Sequence, residues 1–188
     1  MEKELQSIKE NIRRAAAKAG RKEEEILLLG VSKTKPYTML REAYQCGIRD
    51  FGENKVQEIR EKYERMLEDP LMQEDRPHFH MIGNLQKNKV KYLPGKVCLI
   101  HSVDSVSLAE SIEKEYGKKG ETARILLEVN VAKEESKSGF TLDSLEEAIS
   151  AIETFSHIEV TGLMTVAPFT ENPEENRVHF RALKSLLT

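Results

Sequence analysis

The stretch ILLLGVSKTKP, residues 26–36, places two lysines directly after the most hydrophobic segment of the chain. Residues 26–31 are apolar apart from Gly30, which predicts a buried β-strand. Lys33 and Lys35 follow before the segment ends at Pro36. A lysine at the end of a buried strand either extends into water or is placed there for the chemistry of its amine. The sequence around this stretch decides between the two.

The composition limits the possible functions. The 188 residues are 39% hydrophobic and 32% charged, with a net charge of −3, which suits one core and no basic surface for nucleic acid. No apolar run approaches the ~18 residues of a membrane span, and the charged N-terminus lacks the core of a secretion signal. Cys46 and Cys98 are isolated, as is typical of cytosolic thiols. We expect a soluble, cytoplasmic protein that binds neither nucleic acid nor membrane, and a monomer.

Short β-rich segments alternate with segments of helical periodicity. Apolar residues at three- and four-residue steps predict a helix over 3–19, ended by Gly20, and further helices between the strands. The sequence Asn172-Pro173-Glu174-Glu175 predicts another helix start. The predicted strands are 26–31, 48–52, 78–83, 97–103, 123–131 and 158–166. This alternation predicts a parallel sheet, which is either doubly wound or closed into a barrel.

The residues after the strands favour the barrel. No GxGxxG or GxxxxGK[ST] motif follows the first strand, so a Rossmann or P-loop nucleotide site loses support. Polar residues instead follow nearly every strand, and a barrel gathers such residues at its C-terminal face. We therefore predict a TIM-type (β/α) barrel.

The spacing of the predicted strands indicates how many βα units the chain contains. The strand starts are about 26 residues apart, so six units occupy the chain, whereas eight units would need about 50 more residues. We expect residues 1–188 to form one barrel domain with about six of its eight βα units, lacking the C-terminal part.

Six motifs in order resemble one family. They are GVSKTKP, FGENKVQE, HFHMIGNLQKNK, HSVDS, ESKSGF and GLMTVAPF, each at or after a predicted strand. Together they resemble the pyridoxal phosphate homeostasis protein family, whose members are barrels related to the N-terminal domain of alanine racemase. The resemblance implies a protein that carries or regulates pyridoxal 5′-phosphate (PLP) in vitamin B6 homeostasis without substrate turnover. It also suggests PLP-dependent apoenzymes as partners.

The resemblance implies that Lys33 carries PLP as an internal aldimine. Such a lysine must be neutral to attack an aldehyde, and burial together with a neighbouring cation such as Lys35 favours the neutral amine. The motifs indicate further cofactor-binding residues, where amides would contact the ring or phosphate and a loop lysine would close over the barrel mouth. These residues are Asn54, Asn84, Lys137, Met164 and Thr165.

Two enzymatic functions remain as alternatives. An amino-acid racemase needs acid–base groups on both faces of the substrate carbon, and in alanine racemase a second, β-rich domain helps to complete the site. A Schiff-base aldolase in a similar barrel would use Lys33 on a sugar phosphate. Both alternatives predict turnover, whereas a carrier does not.

His78 and His80 share a strand face, which raises the question of a metal site. Two histidines with no third ligand at a suitable local spacing are too few for a metal. The sequence therefore predicts hydrogen-bonded or core histidines and no metal.

Overall fold

The computed structural model describes residues 1–132 and 138–187. Within these residues, six strands form one parallel sheet: β1 (Gly30–Val31), β2 (Asp50–Glu53), β3 (His78–Met81), β4 (Leu99–Val103), β5 (Ala123–Glu128) and β6 (Ile158–Met164). The α-helices are α1 (Glu2–Lys18), α2 (Tyr37–Gln45), α3 (Val56–Glu68), α4 (Val106–Gly117), α5 (Leu142–Ile152) and α6 (Arg177–Ser185). Short 3₁₀ helices lie at Glu23–Glu25, Pro70–Met72, Lys87–Tyr92 and Pro173–Asn176.

The order of the strands distinguishes the two predicted architectures. Each strand pairs in parallel with the next strand along the chain, from β1 to β6. A doubly wound sheet reverses its strand order at a switch point, and no reversal occurs among the six described strands. This sequential order, with helices between the strands, is the arrangement of a (β/α) barrel wall.

The hydrophobic core lies between the outer face of the sheet and the helices. Phe51 of β2 and Phe79 of β3 are paired in register and almost fully buried, with ring centroids 6.5 Å apart. Tyr63 of α3 packs against Phe79 at 6.2 Å. The same face of β4 and β5 contributes Ile100, Ile125 and Leu127. Burial of side chains of this size contributes about 1.5–3 kcal/mol each, which fixes the helices on this face.

The first strand is shorter than predicted. Only Gly30 and Val31 pair with β2, and the predicted strand over 26–31 is wrong for its first four residues. Leu27 and Val31 are exposed, because β1 lies at an edge of the described sheet and pairs with a neighbour on one side only.

The predicted helix boundaries are largely confirmed. The first helix spans Glu2–Lys18, and Gly20 adopts a positive φ of 67° just beyond its end, in the left-handed conformation that favours glycine. The Asn172 side chain accepts a hydrogen bond from the Glu174 N–H at 3.2 Å, as a capping residue does. The first turn after Asn172 is a 3₁₀ helix that continues into α6.

The helices of the described residues are too short or too polar to cross a lipid bilayer.

Candidate functional site

The predicted site residues that the structure describes lie along one edge of the sheet. Because all the strands are parallel, their carboxyl ends share this edge, which in barrels carries the chemistry. The residues at or just after these ends are Lys33, Lys35, Asn54, Asn84, Met164 and Thr165. Lys137 lies outside the described residues.

Lys33 is exposed, so the predicted burial of this lysine is wrong. The chain turns outward after the buried Ser32, whose carbonyl oxygen accepts a hydrogen bond from the Lys35 N–H at 3.0 Å. Lys35 is also exposed. In residues 1–132 and 138–187, no hydrogen bond or ion pair engages the Lys33 amine. The amine is therefore free to react.

A buried polar network holds the backbone on both sides of Lys33. We call Ser32, Glu53, Glu58 and Lys62 the Lys62 network. The Lys62 amine donates to the Ser32 carbonyl oxygen at 2.7 Å and to Glu53 Oε1 at 2.6 Å. Ser32 Oγ donates to the same Glu53 oxygen at 2.5 Å. On the other side of Lys33, the Thr34 N–H donates to Glu58 Oε2 at 2.7 Å. The flanking residues are thus fixed while the Lys33 side chain stays free.

The charges of this network are mostly removed from water. The Glu53 side chain is 0% exposed and that of Lys62 is 7% exposed. Burial raises the pKa of Glu53, although the hydrogen bonds from Lys62 and Ser32 act in the opposite direction. For Glu58, burial is outweighed by the Thr34 N–H and the Lys62 ammonium, which lower its pKa. Glu58 and Glu53 therefore share Lys62 as their counter-ion.

Thr34 carries backbone strain beside Lys33. Its φ is +61°, in the left-handed region where a β-branched residue is a rare outlier. Such a conformation costs roughly 1–2 kcal/mol and persists only where surrounding contacts hold it. The hydrogen bond from its N–H to Glu58 is such a contact.

Asn54 and Asn84 come together in a separate groove. Both line an open cavity of about 520 Å³ between the start of α3 and the segment after β3, together with the basic residues Lys55, Arg60 and Lys89. The two loops are in close contact, since a Cβ added at Gly83 would lie 2.6 Å from the Asn54 Cα. Lys33 is not among the described residues that line this groove. The structure thus places the two asparagines at the same edge as Lys33 but not against it.

Met164 and Thr165 are engaged in the pairing of β5 with β6. The Met164 carbonyl oxygen accepts from the Val129 N–H at 2.8 Å. The Thr165 hydroxyl donates to the Val129 carbonyl oxygen at 2.8 Å. The Thr165 oxygen therefore remains available to a ligand as an acceptor only.

The sequence analysis missed Glu53, Glu58 and Lys62. Two signals were present: Glu58 and Lys62 lie four residues apart on one helix face, and Glu53 is a carboxylate at the end of an apolar strand. Neither signal indicates a partner in the first βα turn, because that contact depends on the tertiary structure.

A second polar cluster lies toward the amino-terminal ends of the strands, on the inner face of the sheet. We call Asp50, His80, Cys98 and His101 the inner-face cluster. His80 Nε2 lies 3.0 Å from Asp50 Oδ1 and 3.1 Å from Cys98 Sγ, and His80 Nδ1 lies 2.9 Å from His101 Nε2. His78 Nδ1 is 3.2 Å from Asp50 Oδ1. As predicted, both histidines of the third strand are hydrogen-bonded.

Burial dominates the protonation of the inner-face cluster. It lowers the pKa of His80, against the effect of Asp50. Burial and the neighbouring His80 lower the pKa of His101 to about 4. Burial also raises the pKa of the Cys98 thiol to about 11, with Asp50 acting in the same direction. Both imidazoles are therefore neutral at pH 7, and the thiol is protonated.

Comparison with known proteins identifies the family. The family model of the alanine racemase N-terminal domain matches residues 4–188. A pyridoxal phosphate homeostasis protein from Aquifex aeolicus is 44% identical over 182 residues, which cover 97% of this chain and 77% of that protein. The chain belongs to the pyridoxal phosphate homeostasis protein family. The resemblance of the six motifs is thereby confirmed.

Solved structures agree with the fold of this family. PipY from Synechococcus elongatus PCC7942, solved with PLP bound, has a TM-score of 0.76 and 29% identity, covering 93% of this chain and 78% of that chain. Alanine racemase from Clostridium difficile has a TM-score of 0.68 and 14% identity, covering 94% of this chain and 44% of that chain. At that identity the second likeness concerns the fold alone, and it confirms the predicted barrel type.

Proposed function

We propose that this chain binds PLP covalently through Lys33 and carries or regulates the cofactor without turning over a substrate. One observation carries the proposal. The Lys62 network fixes the backbone at Ser32 and Thr34, while the Lys33 amine between them has no partner among the described residues. The name of the Aquifex aeolicus relative and the PLP bound to PipY support the choice of cofactor.

The residues at this edge of the sheet fit the cofactor. When bound, PLP supplies an aldehyde that a primary amine attacks. Lys33 offers an exposed amine, whereas Lys62 is buried and already binds Ser32 and Glu53. Asn54 and Asn84 would supply amide donors, Lys35 a cation and Thr165 an acceptor. Met164 would supply an apolar contact, and Lys137, outside the described residues, remains a proposed contact.

Glu53 and Lys62, two charged residues that support the turn at Lys33, are not placed to exchange protons with a substrate. Racemisation requires groups that exchange protons with both faces of a carbon atom. Glu53 and Lys62 are buried and bonded to each other, so they serve to support the turn. This supports a carrier rather than a racemase or an aldolase.

The proposal extends to the cellular compartment and the oligomeric state of the protein. Cys46 and Cys98 are free thiols, which agrees with a reducing compartment such as the cytoplasm. We expect the chain to act as a monomer that supplies PLP-dependent apoenzymes.

The decisive experiment is covalent trapping. The protein is mixed with PLP, reduced with borohydride and analysed by intact mass and peptide mapping. One pyridoxyl phosphate per chain is expected, at Lys33; Lys33→Ala should lose it, whereas Lys114→Ala, on the exposed face of α4, should keep it. An adduct of equal yield at another lysine would contradict the assignment.

A second experiment separates the carrier from the enzymes. The PLP-loaded protein is incubated with L-alanine, and the products are separated on a chiral column. We expect no D-alanine above the level given by free PLP. Steady formation of D-alanine that disappears in Lys33→Ala would identify a racemase instead.

A further inference from the structure

We propose that Asp50, His80 and Cys98 form a binding site for a divalent transition metal ion, with Zn²⁺ as the best fit. Their ligand atoms, a carboxylate oxygen, an imidazole nitrogen and a thiol sulfur, all lie within 4.8 Å of one another. The three residues come from neighbouring parts of the sheet: Asp50 begins β2, His80 lies in β3 and Cys98 directly precedes β4.

The donor set selects the metal. Thiolate and imidazole ligands favour Zn²⁺ and other late transition metals, whereas Mg²⁺ and Ca²⁺ require oxygen ligands. A carboxylate and a thiolate together carry two negative charges, which would neutralise a divalent cation. Three protein ligands leave one tetrahedral position open for a further ligand. His78 Nδ1 lies 3.2 Å from Asp50 Oδ1, beside the cluster, but His78 is not one of the three residues whose ligand atoms lie together, so water would take the open position.

The geometry requires only a small opening of the cluster. Tetrahedral bonds of about 2.0–2.3 Å place ligand atoms about 3.3–3.6 Å apart. His80 Nε2 lies 3.0 Å from Asp50 Oδ1 and 3.1 Å from Cys98 Sγ. An ion at the centre would replace these two hydrogen bonds and widen these two distances by a few tenths of an ångström, with the Asp50 oxygen and the Cys98 sulfur already within 4.8 Å of each other.

His101 lies where it can support the metal ligand His80 by a hydrogen bond without binding the ion itself. Its Nε2 lies 2.9 Å from His80 Nδ1, and the two rings pack edge to face with centroids 5.1 Å apart. A histidine that binds zinc through one nitrogen generally donates a hydrogen bond from the other, which fixes its tautomer and orientation. A proton on His80 Nδ1 that is donated to His101 leaves His80 Nε2 free to bind the ion.

The site is separate from the proposed PLP site. Lys33 follows the carboxyl end of β1, whereas Asp50 and Cys98 lie at the amino-terminal ends of their strands. Metal binding can therefore be tested in the absence of PLP, and its outcome does not depend on Lys33.

The test uses the full chain without an affinity tag, freed of metal by a chelator. Co²⁺, which replaces Zn²⁺ in tetrahedral sites, is titrated and followed by absorption, and Zn²⁺ affinity is measured by competition with a chromophoric chelator. We expect one ion per chain and a sulfur-to-cobalt charge-transfer band. Cys98→Ser should abolish the band, and Asp50→Asn should weaken Zn²⁺ binding by more than about tenfold. Cys46→Ser, which removes the cysteine on the C-terminal side of α2, should change neither.

Absence of the band in the unaltered protein, or its persistence in Cys98→Ser, would overturn the proposal. A second measurement avoids variants altogether. Alkylation of the native protein, mapped by mass spectrometry, should show that Zn²⁺ protects Cys98 and leaves the rate at Cys46 unchanged. Equal rates at Cys98 with and without Zn²⁺ would also overturn it.

Discussion

The amine of Lys62 lies 2.7 Å from the carbonyl oxygen of Ser32, the residue that precedes Lys33. This contact matters because β1 has only two residues and pairs with a neighbour on one side, so the strand gives the following turn little support. Lys62 ties the turn to α3, and through Glu53 it ties it to the end of β2. The position of Lys33 is thereby determined by residues that, in our proposal, do not themselves touch the cofactor.

Replacing Lys62 should therefore affect both stability and PLP binding. Lys62→Met leaves Glu53 as a buried charge without its counter-ion, which we expect to lower the free energy of unfolding by about 3–5 kcal/mol. It also removes one of the two hydrogen bonds that the Ser32 carbonyl accepts and leaves only the bond from the Lys35 N–H, so PLP trapping at Lys33 should slow. Urea unfolding and the trapping rate under conditions where the variant is folded measure the two effects. The control is Lys114→Met on the exposed face of α4, and an equal change in both variants would contradict the role of Lys62.

Replacing Glu58 should weaken PLP binding with a smaller loss of stability than replacing Lys62. Glu58 is only partly buried and accepts the Thr34 N–H as a carboxylate, so Glu58→Ala should lower the free energy of unfolding by about 1.5–3 kcal/mol, the value of a hydrogen bond to a charged group and less than the loss in Lys62→Met. The same change releases the Thr34 N–H, and the strained turn is then expected to relax. PLP affinity should fall several-fold at this smaller cost in stability. Glu61→Ala, on the exposed side of the same helix, is the matched control; unchanged affinity in Glu58→Ala would show that Ser32 alone supports the turn.

The sequence predicts the architecture better than it predicts the site. Apolar periodicity and strand spacing indicate the barrel, because both are local consequences of packing one face of each element. The exposure of Lys33 is not local. It follows from contacts of Ser32 with Glu53 and Lys62, which are 21 and 30 residues away in sequence. For the same reason the sequence analysis considered His78 and His80 but found no third ligand, since Cys98 reaches His80, 18 residues earlier, only through the pairing of β3 with β4.

The contact between the loops after β2 and β3 gives a third prediction. An alanine at Gly83 would place its Cβ 2.6 Å from both the Asn54 Cα and the Asn54 carbonyl oxygen, and these backbone atoms cannot move aside cheaply. We expect Gly83→Ala to lower the free energy of unfolding by about 2–3 kcal/mol, as overpacking does. At Gly120 an added Cβ meets nothing within 4 Å, but the φ is +66°. Gly120→Ala should therefore lower the free energy of unfolding only by the roughly 1–2 kcal/mol that a left-handed backbone costs a residue with a Cβ. Chemical unfolding of the two variants compares the costs, and an equal or smaller loss in Gly83→Ala would refute the close contact.

The inner-face cluster should make the protein sensitive to mild acid. In the folded chain burial and the adjacent His80 hold the pKa of His101 near 4, against an ordinary value of 6.5 in the unfolded chain. Between pH 6.5 and 4 the unfolded chain therefore binds the extra proton, so the free energy of unfolding should fall as the pH falls through this window. His101 changes the free energy of unfolding by at most about 1.4 kcal/mol per pH unit. Above pH 6.5 its contribution should not change with pH.

The measurement is a series of urea unfolding curves from pH 7.5 to 4 in the presence of a chelator, so that metal binding does not contribute. His101→Asn, which keeps a polar partner for His80 Nδ1 but does not titrate, should show a shallower loss of stability than the unaltered protein. The residual slope comes from other groups whose pKa is lowered in the folded chain and which both proteins retain, among them His80, Glu58 and Glu113. The control is His179→Asn on α6, which should lose stability with falling pH as steeply as the unaltered protein. If His101→Asn lost stability as steeply as the unaltered protein, His101 would not be the group that resists protonation in the folded chain.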